Sequence, residues 1–121
     1  MAENTIFPAA LEKFNVANQA VNTNLIASTG YRPKGRSALL RMQVNVSRAV
    51  FFAYMISSDG STWKGPYKLN NGNPLTADAP WTGTMMCRNT HYYNFQIVDP
   101  TLNTLTINDI QIDETRDGGA S

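Results

Sequence analysis

The segment 40–46 has the sequence LRMQVNV, in which apolar and polar residues alternate without a break. Successive side chains of a β-strand point to opposite faces of the sheet, so this alternation predicts a strand with one buried face and one polar face. Residues 90–98 show the same alternation, with Tyr93, Phe95 and Ile97 in one phase. Two such strands favour a sheet that packs one face against a core.

The chain between these two segments predicts strands of other kinds. Residues 49–56 form a continuous apolar and aromatic run, which is typical of a central strand covered on both faces. After a turn, a short strand is predicted over residues 62–69. Pro66 favours an edge position for this strand, because proline cannot donate a hydrogen bond to a neighbouring strand.

The strand predicted over residues 102–114 changes phase part-way along. Two apolar residues alternate before the change and two after it, and the slip falls at Asn108-Asp109. One extra residue at this point would be a β-bulge, which returns both apolar pairs to the same buried face. The four residues then predicted to face the core are Leu105, Ile107, Ile110 and Ile112.

About six or seven such strands, separated by turn residues, predict an all-β protein: an antiparallel β-sandwich or a barrel, of which we favour a jelly-roll-like sandwich. We expect an extended N-terminal arm over residues 1–20, because its periodicity is weak, and a strand near residues 21–27. The sandwich domain is predicted over residues 21–115. Residues 116–121, rich in glycine, are predicted to be a flexible tail.

Charge is sparse and unevenly distributed along the 121 residues. Charged residues make up 16% of the chain, below the ~25% of ordinary soluble domains, and the net charge is +1. This balance predicts no strong attraction to nucleic acid or membrane, and no apolar run approaches the ~20 residues of a membrane helix. The cations concentrate in residues 13–48 and the acids in residues 99–117. Either these are solvated loops and strand faces, or they are complementary patches that meet between subunits.

The sequence offers little for catalysis. Cys87 and His91 are the single cysteine and histidine, too few for an ordinary zinc site, and we expect a buried structural thiol and a surface or interface residue. The adjacent acids Asp113 and Glu114 end a strand and are expected to be solvated. No dinucleotide or Walker glycine motif is present. We therefore predict no enzyme activity, no metal and no cofactor.

Three groups of residues are candidates for binding. Aromatic side chains in turn-rich segments could stack on a sugar or a neighbouring subunit, or could simply close the ends of the sandwich. The basic loop could contact nucleic acid, although the overall charge argues against this. Apolar residues of a free arm would need a partner surface. The aromatic candidates are Trp63, Tyr67 and Trp81; the basic patch is Arg32, Lys34 and Arg36; the assembly arm carries Ile6, Phe7, Leu11 and Phe14.

Three stretches carry a resemblance to a known class of proteins: SSDGSTW at residues 57–63, YYNFQ at residues 92–96, and LTI followed by IQI within residues 105–112. Over about residues 36–114 the chain resembles small β-sandwich or jelly-roll structural proteins of tailed bacteriophages, especially head decoration (cement) proteins. The resemblance assigns no individual functional residue.

The resemblance implies a virion protein without catalysis, assembled in the host cytoplasm and placed on the capsid surface. Its expected partners are itself, as a trimer or dimer, and the major capsid protein, with an arm that reaches a neighbour. A related layout occurs in carbohydrate-binding sandwich modules of phage fibres and polysaccharide-active proteins, which is the alternative function. Exposed, coplanar aromatic side chains would favour the carbohydrate-binding alternative.

Overall fold

The computed structural model describes residues 9–27 and 29–116, which form two antiparallel sheets packed against each other. The all-β antiparallel sandwich predicted from the sequence is thereby confirmed. The strands of the described chain are β1 (Ala9–Gln19), β2 (Ser37–Val46), β3 (Phe51–Ser57), β4 (Lys64–Lys68), β5 (Trp81–Arg88), β6 (Tyr92–Val98) and β7 (Leu105–Arg116). A short 3₁₀ turn, Asn70–Gly72, follows β4.

The strand order is β1-β7-β2-β5 in one sheet and β4-β3-β6 in the other. A further segment lies along the open side of β6. There Asn22 N–H donates to Ile97 O at 2.7 Å, and Leu25 N–H donates to Phe95 O at 2.8 Å. Counting this segment as the fourth member of the second sheet gives a sandwich of two four-stranded sheets. It is the segment for which the sequence predicted a strand, but its backbone is irregular.

The core lies between the sheets and follows the predicted phases. Alternate residues of β2 are buried, from Ala38 to Val46, and their polar neighbours point outward. β3 is the middle strand of its sheet, as its apolar run predicted. Phe52 of β3 stacks on Phe95 of β6, with ring centroids 5.6 Å apart. The edge position predicted from Pro66 is also found, because among the described strands β4 pairs only with β3.

The bulge predicted in the last strand is present. Asn45 pairs with Asp109 and the next residue, Val46, pairs with Ile107, so β7 carries one more residue than β2 at this point. The extra residue is Asn108. The apolar residues on both sides of it are buried against the core, as predicted.

The N-terminal region differs from the expectation. Residues 9–19 of the predicted arm form β1, which pairs with β7 from Ala9 to Gln19, so the sandwich includes residues assigned by sequence to an arm. Asn15 and Asn18 have φ values of 53° and 58°. Residues in this left-handed conformation interrupt the two-residue period, which explains why the sequence pattern concealed the strand. Ile6 and Phe7 lie outside the described residues, as do residues 117–121 of the predicted tail.

Candidate interaction surfaces

The outward side chains of β2, β5 and β7 form a shallow groove on the four-stranded sheet, which we call the outer-sheet groove. Its volume is ≈ 410 Å³. Its outward side chains stand in two cross-strand rows, Thr84-Arg41-Asp113 and Thr82-Gln43-Gln111. The surface is thus made of hydroxyl and amide groups with one cation and one anion, so it offers many hydrogen bonds and little net charge.

Large apolar side chains are exposed at both edges of this sheet. Phe14 on β1 is 52% exposed and Met86 on β5 is 53% exposed. Phe14 was predicted to need a partner surface, and it does project from the sheet, opposite Asp109 in the pairing register. Leu11, predicted with it, packs partly against the core opposite Ile112. The two residues grouped by sequence therefore differ in their surroundings.

Two of the candidate aromatic side chains pack within the fold. The tip of the Trp63 ring lies against Gly30, where a Cβ atom would sit only 3.0 Å from Cη2. The Trp81 ring covers Gly83 and lies 6.0 Å from the Phe52 ring, centroid to centroid. Both side chains are half-buried. Their contacts are with neighbouring parts of the same chain.

The third aromatic residue is more exposed. Tyr67 is 45% exposed and its ring lies 5.2 Å from that of Tyr54. It is also separated from the other two. Trp63 precedes β4 at the end of the sandwich that holds the 57–62 turn, whereas Trp81 pairs with Val44 towards the opposite end. The three candidates do not form a single coplanar platform in this chain.

The basic loop gains a member that the sequence did not suggest. Arg32 donates to Asn89 O at 2.8 Å and its guanidinium lies over the Tyr92 ring at 5.1 Å, while Asn89 N–H donates to Arg36 O at 3.1 Å. These bonds hold the loop against the β5–β6 turn. The exposed cations brought together here, which we call the basic corner, are Arg32, Lys34, Arg36 and Arg88. Arg88 is far away in sequence, so only the topology reveals the cluster.

Of the four acids that the structure describes in the C-terminal acidic stretch, Asp99 and Glu114 are buried. Asp99 is buried and accepts hydrogen bonds from Thr101 and Arg48; the Thr101 backbone N–H is the main reason its pKa is lowered. Glu114 is only 2% exposed and accepts a 2.5 Å hydrogen bond from the Tyr31 hydroxyl. The expectation that Glu114 is a solvated strand end is therefore wrong. Tyr31 comes from the loop 83 residues earlier, a contact that no local pattern announces.

The residue types that most often bind metal ions are dispersed over the described part of the fold. Among residues 9–27 and 29–116, no three His, Cys, Asp or Glu residues are grouped so as to hold a metal ion. Within the same ranges, no helix has the length and apolar character needed to cross a membrane.

A scan against protein-family models finds no matching family, and a search of curated proteins finds no match.

Cys87 and His91 occupy different environments. Cys87 is fully buried, as expected, and burial raises the pKa of its thiol to about 12, with the negative charge of Glu114 adding to the effect. A thiol in this state is protonated at neutral pH and is a poor nucleophile. His91 is half-buried, its Nδ1 lies 2.9 Å from the Thr90 hydroxyl, and it lines a pocket of ≈ 290 Å³ with Lys64.

Proposed function

We propose that this chain is a non-enzymatic structural protein of a bacteriophage virion, which decorates and stabilises the capsid through contacts with itself and with the major capsid protein. The observation that carries the proposal is the outer face of the four-stranded sheet. It combines the nearly neutral outer-sheet groove with exposed Phe14 and Met86 at the two edges.

The composition of this face suits protein contact. Aromatic residues and methionine are enriched in the centres of protein interfaces, whereas lysine and glutamate are depleted there. The groove side chains can exchange hydrogen bonds with a partner. Because the groove carries little net charge, the free-energy cost of desolvation on binding is small. A jelly-roll arrangement of the sandwich would be compatible with this role, since jelly rolls form viral capsid domains as well as lectin domains.

The hydrogen bonds of three carboxylates support a structural role as well. Asp59 accepts the backbone N–H groups of Ser61 and Thr62, which lowers its pKa and fixes the turn after β3. Asp99 holds Arg48, and Glu114 holds Tyr31. These groups act as supports for loops and strand ends, which is what a rigid assembly unit requires.

One observation favours the carbohydrate-binding alternative. Exposed Tyr67 stands beside Tyr54, and a pair of rings can stack on a sugar. A glycan array and calorimetric titration test this: binding that is lost in Tyr67→Ala and kept in Phe14→Ser would replace the capsid proposal.

The direct test uses heads of the phage that encodes the chain. We expect the chain in purified virions, and saturable cosedimentation when it is added to heads that lack it, with greater resistance of those heads to heat. The double substitution of Phe14→Ser and Met86→Ser should weaken binding. Leu102→Ser is the matched control, because Leu102 is 72% exposed but lies outside the sheet. Absence from virions together with no binding to heads would contradict the proposal.

A further inference from the structure

β5 presents a long, regular strand edge. All eight of its residues pair with β2 in unbroken register, from Trp81 opposite Val44 to Arg88 opposite Ser37. β5 is the last strand of its sheet, and among the described residues no other strand pairs with its outer side. Its outward backbone N–H and C=O groups are therefore available to another chain.

The other sheet edges in the described chain are protected. β4 carries Lys64, Pro66 and Lys68 within five residues, three features that oppose pairing with a further strand. β1 has two register shifts and its left-handed residues. β6 is covered by the segment that includes Asn22.

β5 has none of these protections before its last residue. Residues 81–87 contain neither a charged residue nor proline, and their pairing with β2 has no bulge. The strand is rich in threonine and methionine. An uncharged and regular edge of this kind is a template for pairing with another strand.

We propose that β5 pairs with β5 of a second copy of this chain, antiparallel and around a two-fold axis at Gly83, so that two four-stranded sheets become one sheet of eight strands. This inference names the self-contact of the proposed assembly, but it can be tested without a capsid. A symmetric contact of this type closes at two subunits.

The residues that this register places opposite each other are complementary. Thr82 faces Thr84 of the second copy on the outer side, where threonine pairs form favourable cross-strand contacts. Trp81 faces Met85 of the second copy on the inner side, a favourable pairing of an aromatic ring with sulfur. By symmetry, each contact occurs twice.

Charge complementarity favours a second copy over an unrelated strand. Beyond the strand itself, the arrangement that centres on Gly83 places Arg88 near the turn before β5 of the second copy, which holds Asp78. Both are exposed, and they are the first charged residues on either side of the uncharged stretch. Opposite charges therefore lie on the same side of each end of the contact, while like charges stay apart.

Sedimentation equilibrium of the full chain tests the contact. We expect the unmodified chain to be a dimer. Thr84→Lys should raise the dissociation constant of the dimer at least tenfold, because the two new charges lie near the two-fold axis and must lose water. Gln111→Lys is the control, since Gln111 lies on the same outer face but two strands from the edge. Circular dichroism and melting should show all variants folded. Adding Thr82→Glu to Thr84→Lys should restore the dimer, because each introduced lysine then faces a glutamate.

A monomer or a trimer for the unmodified chain would overturn the inference. So would a dimer that resists Thr84→Lys, or one broken by Gln111→Lys alone, since that result assigns the contact to the sheet face. The capsid proposal fails separately. A monomer that binds heads would support the capsid proposal and contradict the β5 contact. A dimer that does not bind heads would support the β5 contact and contradict the capsid proposal.

Discussion

The side-chain amide of Asn94 pairs with both backbone polar groups of Ile26: its Oδ1 accepts the Ile26 N–H at 2.9 Å, and its Nδ2 donates to the Ile26 carbonyl at 2.7 Å. Asn22 does the same for the backbone of Asp99, at 2.8 and 3.0 Å. Two amide side chains thus supply hydrogen bonds that a regular strand ladder would otherwise provide. They allow the irregular segment before β2 to complete the second sheet.

The first prediction concerns Asn94. Asn94→Ala leaves the Ile26 N–H and C=O without this partner in a part-buried site, at about 1–3 kcal/mol for each group, so we expect a loss of about 2–4 kcal/mol in the free energy of unfolding. Denaturant unfolding measures it. Gln96→Ala is the control, because the Gln96 bond to Asn24 is exposed and should cost less than about 0.5 kcal/mol. A loss for Asn94→Ala as small as that expected for Gln96→Ala would show that the two amide hydrogen bonds contribute little.

The second prediction tests the bulge. Because Asn108 is the extra residue, Ile107 and Ile110 both reach the core, and each is 0% exposed. Ile107→Ala and Ile110→Ala should each lower the free energy of unfolding by about 2–5 kcal/mol. Leu102→Ala should change it by less than about 0.5 kcal/mol, as an exposed residue. A loss below about 1 kcal/mol for either isoleucine would mean that its side chain lies outside the core.

The third prediction compares two glycines with nearly equal backbone angles, Gly30 at φ +81° and Gly72 at φ +80°. A Cβ atom at Gly30 would lie 2.5 Å from the Tyr93 carbonyl oxygen, whereas at Gly72 it meets nothing within 4 Å. Gly72→Ala should therefore cost only the backbone penalty of about 1–2 kcal/mol, and Gly30→Ala clearly more. Thermal unfolding measures both. Equal costs would mean that the Gly30 segment moves away without loss of packing.

Residues with regular surroundings were predictable from sequence. The alternation around Met42 places β2, and the phase slip at Asn108 reveals a bulge, because both follow from the two-residue period. β1 was concealed because Asn15 adopts a conformation that breaks this period. A single sequence could not reveal this, since asparagine tolerates both conformations.

The surfaces were less predictable than the strands. The polar residues of β2 announce an outward face, but the groove needs Thr84 and Asp113 from strands that become neighbours only through the topology. The basic corner needs Arg88 in the same way. Glu114 was misjudged because its partner, Tyr31, lies in a distant loop. Side-chain type was visible in the sequence, whereas the pairing of distant segments was not.

The last prediction is a pH dependence that originates at Cys87. Burial, aided by the charge of Glu114, raises the pKa of the thiol from 9.0 to about 12. Below pH 9 the thiol is protonated in both the folded and the unfolded chain. Between pH 9 and 12 the unfolded chain releases this proton while the folded chain keeps it, so the unfolded chain binds fewer protons and stability falls as pH rises.

The expected slope from this one group approaches about 1.4 kcal/mol per pH unit within that window. Cys87→Ala should remove it. The substitution also lowers stability at every pH by leaving a small cavity, so the comparison is between slopes and not between absolute values. The pKa of Tyr93 is raised mainly by burial, and this part is common to both proteins; only the smaller part due to the charge of Cys87 differs between them. Denaturant unfolding at several pH values from about 8 to about 11 measures the two curves. Parallel curves would mean that water reaches the thiol in the folded chain, and reaction with a thiol reagent at neutral pH would then be fast as well.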